Sequence, residues 1–279
     1  MIFEIKKEYC KSIFNILDDE IDNIEVKAVI EGNNPGWIYA DSLKSPETAV
    51  IWSKGIQGFY FVGDHNNPKF NYYISDYIDN KIIPRVKKEN LDRFEFSGES
   101  EKWCPILEEI FAEKKLDKSK QLIYKLNYDQ GNNYKKRTLN IKFKLRKINS
   151  ELLNDRNIEN LDYITSEILR WWDSSEKYLE KAFGYCIIFD KKIVSYCISN
   201  FVYKNIHTIG IETLKDYRRK GLSQAAAEAF VEKCIAEKLE PHWECMESNR
   251  ASRNLAEKLN FKRKRIYTLY SFPLNNGLS

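Results

Sequence analysis

The spacing of apolar residues in the first half of the chain predicts one helix followed by a small antiparallel sheet. Apolar residues recur at near-helical spacing over residues 1–17. Three short runs of aromatic and β-branched residues follow, at 36–39, 49–52 and 59–62. Glycine, asparagine and proline separate these runs, as is typical of strands joined by turns. A further helix is predicted over residues 104–116, where a proline stands near the first turn.

The second half of the chain shows a clearer succession of elements. Apolar and polar residues alternate over 139–148, which predicts a half-buried strand. The elements predicted after it are helices within 161–183, strands at 185–189, 192–201 and 207–214, a helix at 222–239, a strand at 242–246, a helix at 248–259 and a strand at 265–272. This order indicates an α/β (α+β) fold, a mixed sheet flanked by helices.

A polar cluster between the two halves predicts a domain boundary. Residues 129–133 read Asp-Gln-Gly-Asn-Asn, a composition that favours a linker. We place the boundary near residue 135. The prediction is a smaller accessory α/β domain over 1–135 and a second domain over 136–279.

Composition narrows the class of protein. The 279 residues are 43% hydrophobic and 14% aromatic, enough for a substantial core. The formal net charge of +4 is too balanced to indicate nucleic-acid binding, and no apolar run is long enough for a membrane span. The six cysteines form no Cys-x-x-Cys pair, so we predict reduced core thiols and no metal site. We expect a cytoplasmic protein that binds neither nucleic acid nor membrane.

The most informative stretch lies between the strand at 207–214 and the helix at 222–239. Arg218, Arg219 and Lys220 precede Gly221, and the helix then begins with small residues. Backbone N–H groups at a helix start, the helix dipole and three cations together favour an anion. A solvated basic turn that caps an ordinary helix is the alternative interpretation.

This stretch resembles a motif of a known family. Arg218-x-x-Gly221-x-Ser223 is similar to the acyl-CoA pyrophosphate loop of the GNAT-superfamily N-acetyltransferases, with serine where glycine or alanine is usual. A later stretch of the chain resembles a second GNAT signature. The residues that carry this resemblance are Ser248, Asn249, Ser252, Leu255, Ala256, Leu259, Asn260 and Phe261. Ala256 stands where that signature usually has tyrosine, and Asn260 where it has glycine. Asparagine tolerates the left-handed conformation that ends a helix.

The resemblance implies a fold, a cosubstrate and a set of contacts. The whole layout is similar to a two-domain bacterial GNAT group with an extra N-terminal domain. It implies a GNAT-type sheet in the second domain, with acetyl-CoA as acyl donor. The residues implied to bind the donor are Ile211, Thr213, Arg218, Arg219, Lys220, Gly221, Leu222, Ser223, Asn249 and Ser252.

Two carboxylates are candidates for the general base. Amine acetylation needs a base, because an alkyl ammonium is not a nucleophile. Glu244 stands on the strand before the second signature, and we expect the indole of Trp243 beside it to shield its carboxylate partly from water. A similarly placed glutamate is the base in the ribosomal-protein N-terminal acetyltransferases of the family that the motifs resemble. Glu212 is the rival, since strand alternation turns it away from Ile211 and Thr213. With alanine at 256, the usual acid is missing, and Tyr270 is one distant hydroxyl that could replace it.

The predicted function follows from this resemblance. We expect an acetyl-CoA-dependent N-acetyltransferase in which a primary amine of a small molecule or peptide attacks the thioester directly in a ternary complex. Because Ala256 removes the usual acid, a catalytically silent acyl-CoA-binding module, serving as a sensor or partner-binding protein, is the alternative. A homodimer is left open.

Overall fold

The structure is a computed structural model that describes residues 1–18, 20–21, 23–128 and 137–274. Packing divides the chain into two compact units. The first contains Met1–Gln121 and the described residues from Ile266 onward, and the second contains Leu122–Arg265. The linker predicted at 129–133 and the boundary predicted near 135 lie outside the described residues, so both stay predictions.

The first unit contains a mixed sheet and its helices. A 3₁₀ helix at Lys7–Ile16 follows β1, and a π-helical turn at Ile78–Ile82 joins α2 to α3. Its elements are β1 (Phe3–Glu4), α1 (Ile24–Glu31), β2 (Gly36–Ala40), β3 (Thr48–Ser53), β4 (Gly58–Gly63), α2 (Pro68–Tyr77), α3 (Ile83–Lys88), β5 (Arg93–Gly98), α4 (Trp103–Ile110) and the start of β6 (Asp117–Leu126).

The predicted antiparallel sheet is confirmed in this unit. Strand β3 pairs antiparallel with β2 on one side and with β4 on the other, and β5 pairs parallel with β4. The helix predicted over 1–17 is wrong at its start, where β1 pairs with β2 instead. The helix predicted over 104–116 ends early, at Ile110.

Aromatic side chains fill the core of the first unit. The ring of Phe94 on β5 is stacked on Phe59, with ring centroids 4.4 Å apart, and on Phe272, at 5.1 Å. Phe96 is stacked on Tyr270 at 5.4 Å. Two of these partners belong to the last strand of the chain, which pairs antiparallel with β5. The C-terminal strand is therefore part of the core of the first unit.

The second unit contains the elements that the sequence predicted best. A 3₁₀ turn, Lys215–Tyr217, follows β10. Its elements are β7 (Lys144–Lys147), α5 (Ser150–Leu153), α6 (Leu161–Trp171), α7 (Ser175–Lys181), β8 (Gly184–Phe189), β9 (Lys192–Tyr203), β10 (Ile206–Thr213), α8 (Leu222–Ala236), β11 (Glu240–Met246), α9 (Arg250–Lys258) and the start of β12 (Phe261–Pro273).

The strand predicted over 139–148 is shorter than expected. Only Lys144–Lys147 forms a strand, at the outer end of the strand order, where β8 is its neighbour. Ile141 is 92% exposed and Leu145 is 42% exposed. The half-buried face that the alternation predicted forms only in part, with the rings of Phe143 and Phe189 5.0 Å apart, because an edge strand has little to pack against.

The two units share one order of elements, a repetition that the sequence did not predict. In each unit the first strand, β1 or β7, pairs antiparallel with the first of three consecutive antiparallel strands, β2 or β8. Helical segments separate these two paired strands in the sequence. A helical segment then leads to a strand parallel to the third one, β5 beside β4 and β11 beside β10. A helix and a last strand follow. The last strands, β6 and β12, each begin in one unit and end in the other.

Among the residues that the structure describes, none of the helices has the length and apolar character needed to cross a bilayer.

Replacing Gly184 with alanine should destabilise the second unit. A methyl group there would lie 2.5 Å from the Tyr178 hydroxyl oxygen and 2.8 Å from the carbonyl oxygen of Cys197, so the backbone of β9 must move. Overpacking of this kind costs about 1–3 kcal/mol of unfolding free energy. Chemical denaturation measures the change.

Gly58→Ala is the matched control for this prediction. The nearest atom to a methyl group on Gly58 lies at 3.4 Å, which is ordinary contact. An equal loss of stability in both variants would show that glycine itself, and not the space around Gly184, decides the effect.

Candidate active site

Two neighbouring strands of the second unit pair over only part of their length. Strands β10 and β11 run parallel, and in the described residues their ladder ends at Thr208 and His242. Strand β10 continues to Thr213 and β11 to Met246. Backbone N–H and C=O groups need hydrogen-bond partners, so the gap between these strand ends can receive an extended ligand. Ile211 lies on this splayed part.

The loop after β10 has the geometry of an anion site. Arg219 has φ 62° and Gly221 has φ 79°, both in the left-handed region. A non-glycine residue held there is often found at functional sites, and alternating left- and right-handed residues turn successive N–H groups toward one point. Gly221 is the N-cap of α8 and provides no side chain to satisfy the first N–H groups of the helix. These donors and the positive end of the helix dipole face the same place.

A cleft of about 290 Å³ lies at this helix start. Three of its lining side chains are cationic and none is acidic. The lining residues are Arg137, Arg219, Gly221, Ser223, Gln224, Ala251, Asn254, Leu255 and Lys258. Arginine and lysine around exposed backbone N–H groups are suited to phosphate groups.

The structure brings only part of the predicted loop into this cleft. Arg219, Gly221 and Ser223 line it. Arg218 turns back, and its Nε donates to the carbonyl oxygen of Thr213 at 3.1 Å. The Nζ of Lys220 donates to the carbonyl oxygen of Asp216 at 3.1 Å. These two cations brace the loop that shapes the cleft.

Two further predicted donor-binding residues have structural roles. The side chain of Leu222, at the start of α8, is 1% exposed and belongs to the core. Thr213 faces Ser195, with hydroxyl oxygens 2.7 Å apart. Only the main-chain groups of these residues are suited to contact a ligand.

The second signature forms the start of α9. The side-chain oxygen of Asn249 accepts a hydrogen bond from the N–H of Ser252 at 3.1 Å, so Asn249 is the N-cap of this helix. The hydroxyl of Ser252 accepts from the indole N–H of Trp243 at 2.9 Å and ties α9 to β11. Asn260 has φ 63°, which confirms the left-handed residue expected after the helix.

Glu244 lies on the face of β11 that carries His242. Its Oε2 is 3.9 Å from Nε2 of the fully buried His242, and its side chain is 16% exposed. The expectation that Glu244 lies beside the indole of Trp243 is wrong. Trp243 points to the opposite face, where its ring packs against Phe261, because successive strand residues alternate.

Glu212 lies on the same face of the sheet. Thr208 and His242 are cross-strand neighbours and point to the same face of the sheet. Glu212 and Glu244 each follow their own neighbour on the strand by an even number of residues, so both side chains point to that face as well. Glu212 is exposed, and its Oε2 accepts a hydrogen bond from the hydroxyl of Tyr196 at 3.1 Å.

Two tyrosines beside Glu212 were missed by sequence reasoning. Burial, followed by the charge of neighbouring carboxylates including Glu212, raises the pKa of both Tyr163 and Tyr196. Their rings are 5.4 Å apart. Both hydroxyls therefore stay protonated at neutral pH and are able to donate a hydrogen bond.

Neither of the two positions considered for a general acid, 256 and 270, offers a free proton donor to the site. Ala256 is fully buried and offers no donor. The hydroxyl of Tyr270 donates to Glu108 at 2.9 Å within the first unit, and burial raises its pKa. Tyr270 is therefore a core residue of that unit.

Six residues of the cleft were not among those predicted to bind the donor, namely Arg137, Gln224, Ala251, Asn254, Leu255 and Lys258. Asn254 and Lys258 are one helical turn apart on α9, so helical spacing from Ala251 could have found them. Gln224 follows the motif directly. Arg137 carries no signal in the sequence, because it reaches the cleft from a distant part of the chain.

Comparison with known proteins gives relatives over nearly the full length. The sequence model of a family described as GNAT acetyltransferase matches residues 15–270. A curated Bacillus subtilis (strain 168) protein, described as uncharacterized N-acetyltransferase YdfB, is 27% identical over 270 residues, covering 96% of this chain and 97% of that protein.

Solved structures show the same fold. A GCN5-related N-acetyltransferase-like protein from Streptococcus suis 89/1591 has a TM-score of 0.64 at 19% identity, covering 95% of this chain and 98% of its own. A tandem GNAT protein from the clavulanic acid biosynthesis pathway has a TM-score of 0.63 at 8% identity, covering 99% of this chain and 100% of its own. At these identities the likeness concerns the fold alone.

Proposed function

The chain belongs to the GNAT acetyltransferase family and is an acyltransferase, and on this premise we propose that it moves an acetyl group from acetyl-CoA to a primary amine of a small molecule or peptide. The observation that carries the proposal is the cleft at the start of α8. It combines three cations with the uncapped N-terminus of a helix, beside the splayed ends of β10 and β11. Phosphates fit the cleft, and an extended pantetheine arm fits the gap between the strands.

The second unit is the better place for the donor than the first. In the first unit the corresponding turn after β4 contains Asp64, and Asn67 caps α2 by accepting from the N–H of Phe70. The N–H of Gly63 donates to the carboxylate of Glu99, which is 3% exposed. These groups already satisfy the helix start and add negative charge, which disfavours a phosphate.

Glu244 is the base that we propose. It is mostly shielded from water, unlike Glu212, and lies on the strand that flanks the splay. A partly buried carboxylate at the end of a ligand-sized gap is suited to accept a proton from an ammonium group. Glu212 is the alternative, although its Oε2 is engaged with the Tyr196 hydroxyl.

The chemistry proceeds by direct attack in a ternary complex. The neutral amine attacks the thioester carbonyl carbon, a C–N bond forms, and the C–S bond breaks as the thiolate leaves. The nitrogen, protonated by the attack, releases one proton to water as it becomes the amide. A backbone N–H at the splay is suited to stabilise the oxyanion. Because Ala256 has no acidic group, the leaving thiolate takes its proton from water.

A turnover screen tests the function. With acetyl-CoA and a panel of polyamines, aminoglycosides, amino acids and peptides, we expect amine-dependent release of free thiol with at least one acceptor. Reactions without amine give the background hydrolysis rate. Binding of acetyl-CoA without turnover of any acceptor would instead support a catalytically silent acyl-CoA-binding module.

Acetyl-CoA and CoA should raise the melting temperature, because ligands that bind the native state stabilise it by mass action. Gly221→Asp should abolish this shift, since it places a negative charge and a side chain where phosphate approaches, at a residue with φ 79°. Differential scanning fluorimetry measures both shifts. Ser166→Asp, an exposed substitution on α6, controls for added charge.

Circular dichroism of the ligand-free Gly221→Asp protein verifies that it folds. A folded Gly221→Asp variant that responds to CoA as the parent does would show that this loop does not hold the donor.

Glu244→Gln should lower kcat about 10²–10⁴-fold, the range for loss of a general base, and leave acetyl-CoA binding unchanged. The loss should shrink at high pH, where more of the amine is already neutral. Steady-state kinetics from pH 6 to 10 with an acceptor found in the screen give both values. Glu240→Gln is the matched control, because Glu240 lies on the same strand, paired with Lys125.

Glu212→Gln separates the two candidates. Only the true base should show both the loss and the alkaline rescue. Near-parent turnover of Glu244→Gln at neutral pH, with the loss found in Glu212→Gln, would transfer the role to Glu212.

A further inference from the structure

We propose that Arg137 is a phosphate-binding residue of the donor site, supplied from outside both sequence signatures. The inference rests on the proposed use of acetyl-CoA and adds a ligand that neither motif contains. Its chemical target is a phosphoryl group of CoA, in the pyrophosphate or at the 3′ position.

The main chain of Arg137 is anchored to α8. Its backbone N–H lies 2.8 Å and 3.1 Å from the two carboxylate oxygens of Glu228. Glu228 is 5% exposed, and its Oε1 also accepts from Nε2 of Gln224 at 2.8 Å. A buried carboxylate that binds a backbone N–H in this way fixes where the residue enters the cleft.

The side chain of Arg137 lies directly against the start of the helix. Its Nη2 donates to the carbonyl oxygen of Lys220 at 3.3 Å. A methyl group on Gly221 would lie 2.3 Å from its Nε, so the guanidinium packs where glycine leaves room. Because Gly221 has no side chain, Arg137 can approach the main chain at the same place where we expect a phosphate group to approach it.

The electrostatics of this arrangement favour an anion. The N-terminus of a helix carries about half a positive charge, and cations are disfavoured there. Arg137 adds a full charge at this point, and Arg219 and Lys258 line the same cleft. The carboxylate of Glu228 holds the backbone of Arg137 rather than its guanidinium. A multiply charged phosphate ligand would convert these repulsions into charge-assisted hydrogen bonds.

Calorimetric titration of the full chain with CoA tests the proposal. Arg137→Gln removes the charge and keeps much of the reach of the side chain, and it should weaken CoA binding about 10- to 100-fold, the cost of losing hydrogen bonds to a charged group. Arg137→Lys keeps the charge and should stay within about fivefold of the parent. Arg146→Gln is the control, because Arg146 lies on β7 and pairs with Glu151 and Asp155 instead.

Titration with 3′-dephospho-CoA identifies the phosphate. If Arg137→Gln weakens the binding of this ligand as much as that of CoA, Arg137 binds the pyrophosphate. If the loss disappears, Arg137 binds the 3′-phosphate. Either result supports the proposal.

Three results would overturn it. Parent-like CoA binding by Arg137→Gln would remove Arg137 from the site and leave the proposed function intact. Equal losses in the Gln and Lys variants, with lowered ligand-free melting temperatures, would assign Arg137 a structural role. A parent protein that does not bind CoA would overturn this inference together with the proposed use of acetyl-CoA.

Discussion

The early end of the ladder between β10 and β11 determines the arrangement of the candidate site. Parallel strands of one sheet normally stay paired, since each unpaired backbone group that is shielded from water costs free energy. Here pairing ends at Thr208 and His242, while both strands continue. The splay leaves room between the strands, brings Glu244 to its edge and leads β10 directly into the loop before α8. The strand gap and the position of Glu244 at its edge are thus consequences of one interruption in hydrogen bonding.

The two units show how one topology can disfavour or favour the binding of an anion. Each has a turn between its third antiparallel strand and the next helix, with a glycine at positive φ, Gly63 or Gly221. In the first unit a buried carboxylate from Glu99 takes the glycine N–H, and a side chain caps the helix. In the second unit the cap is glycine itself and the surrounding charges are positive. The difference lies in a few polar side chains on the same framework.

The sequence predicted those parts of the molecule that depend on local pattern. The strands and helices from 161 to 259 are confirmed because their apolar residues recur at regular spacing and are largely buried. Arg219, Gly221 and Ser223 meet in one cleft because they are neighbours in the chain. Arg137 was missed because its position depends on Glu228, which is distant in sequence. The neighbour of Glu244 was assigned wrongly, because adjacency along a strand is not adjacency in space.

The final strand has a consequence for the order in which the protein matures on the ribosome. Phe94 and Phe96 complete their packing with Phe272 and Tyr270, which are synthesised long after β5. A nascent chain that already contains all of residues 1–121 therefore still exposes an aromatic surface on β5, and the first unit to be translated is not the first to be finished. Until β12 has been synthesised, that exposed surface favours aggregation, so the time taken to translate residues 122–272 bears on how much of the protein reaches its folded state.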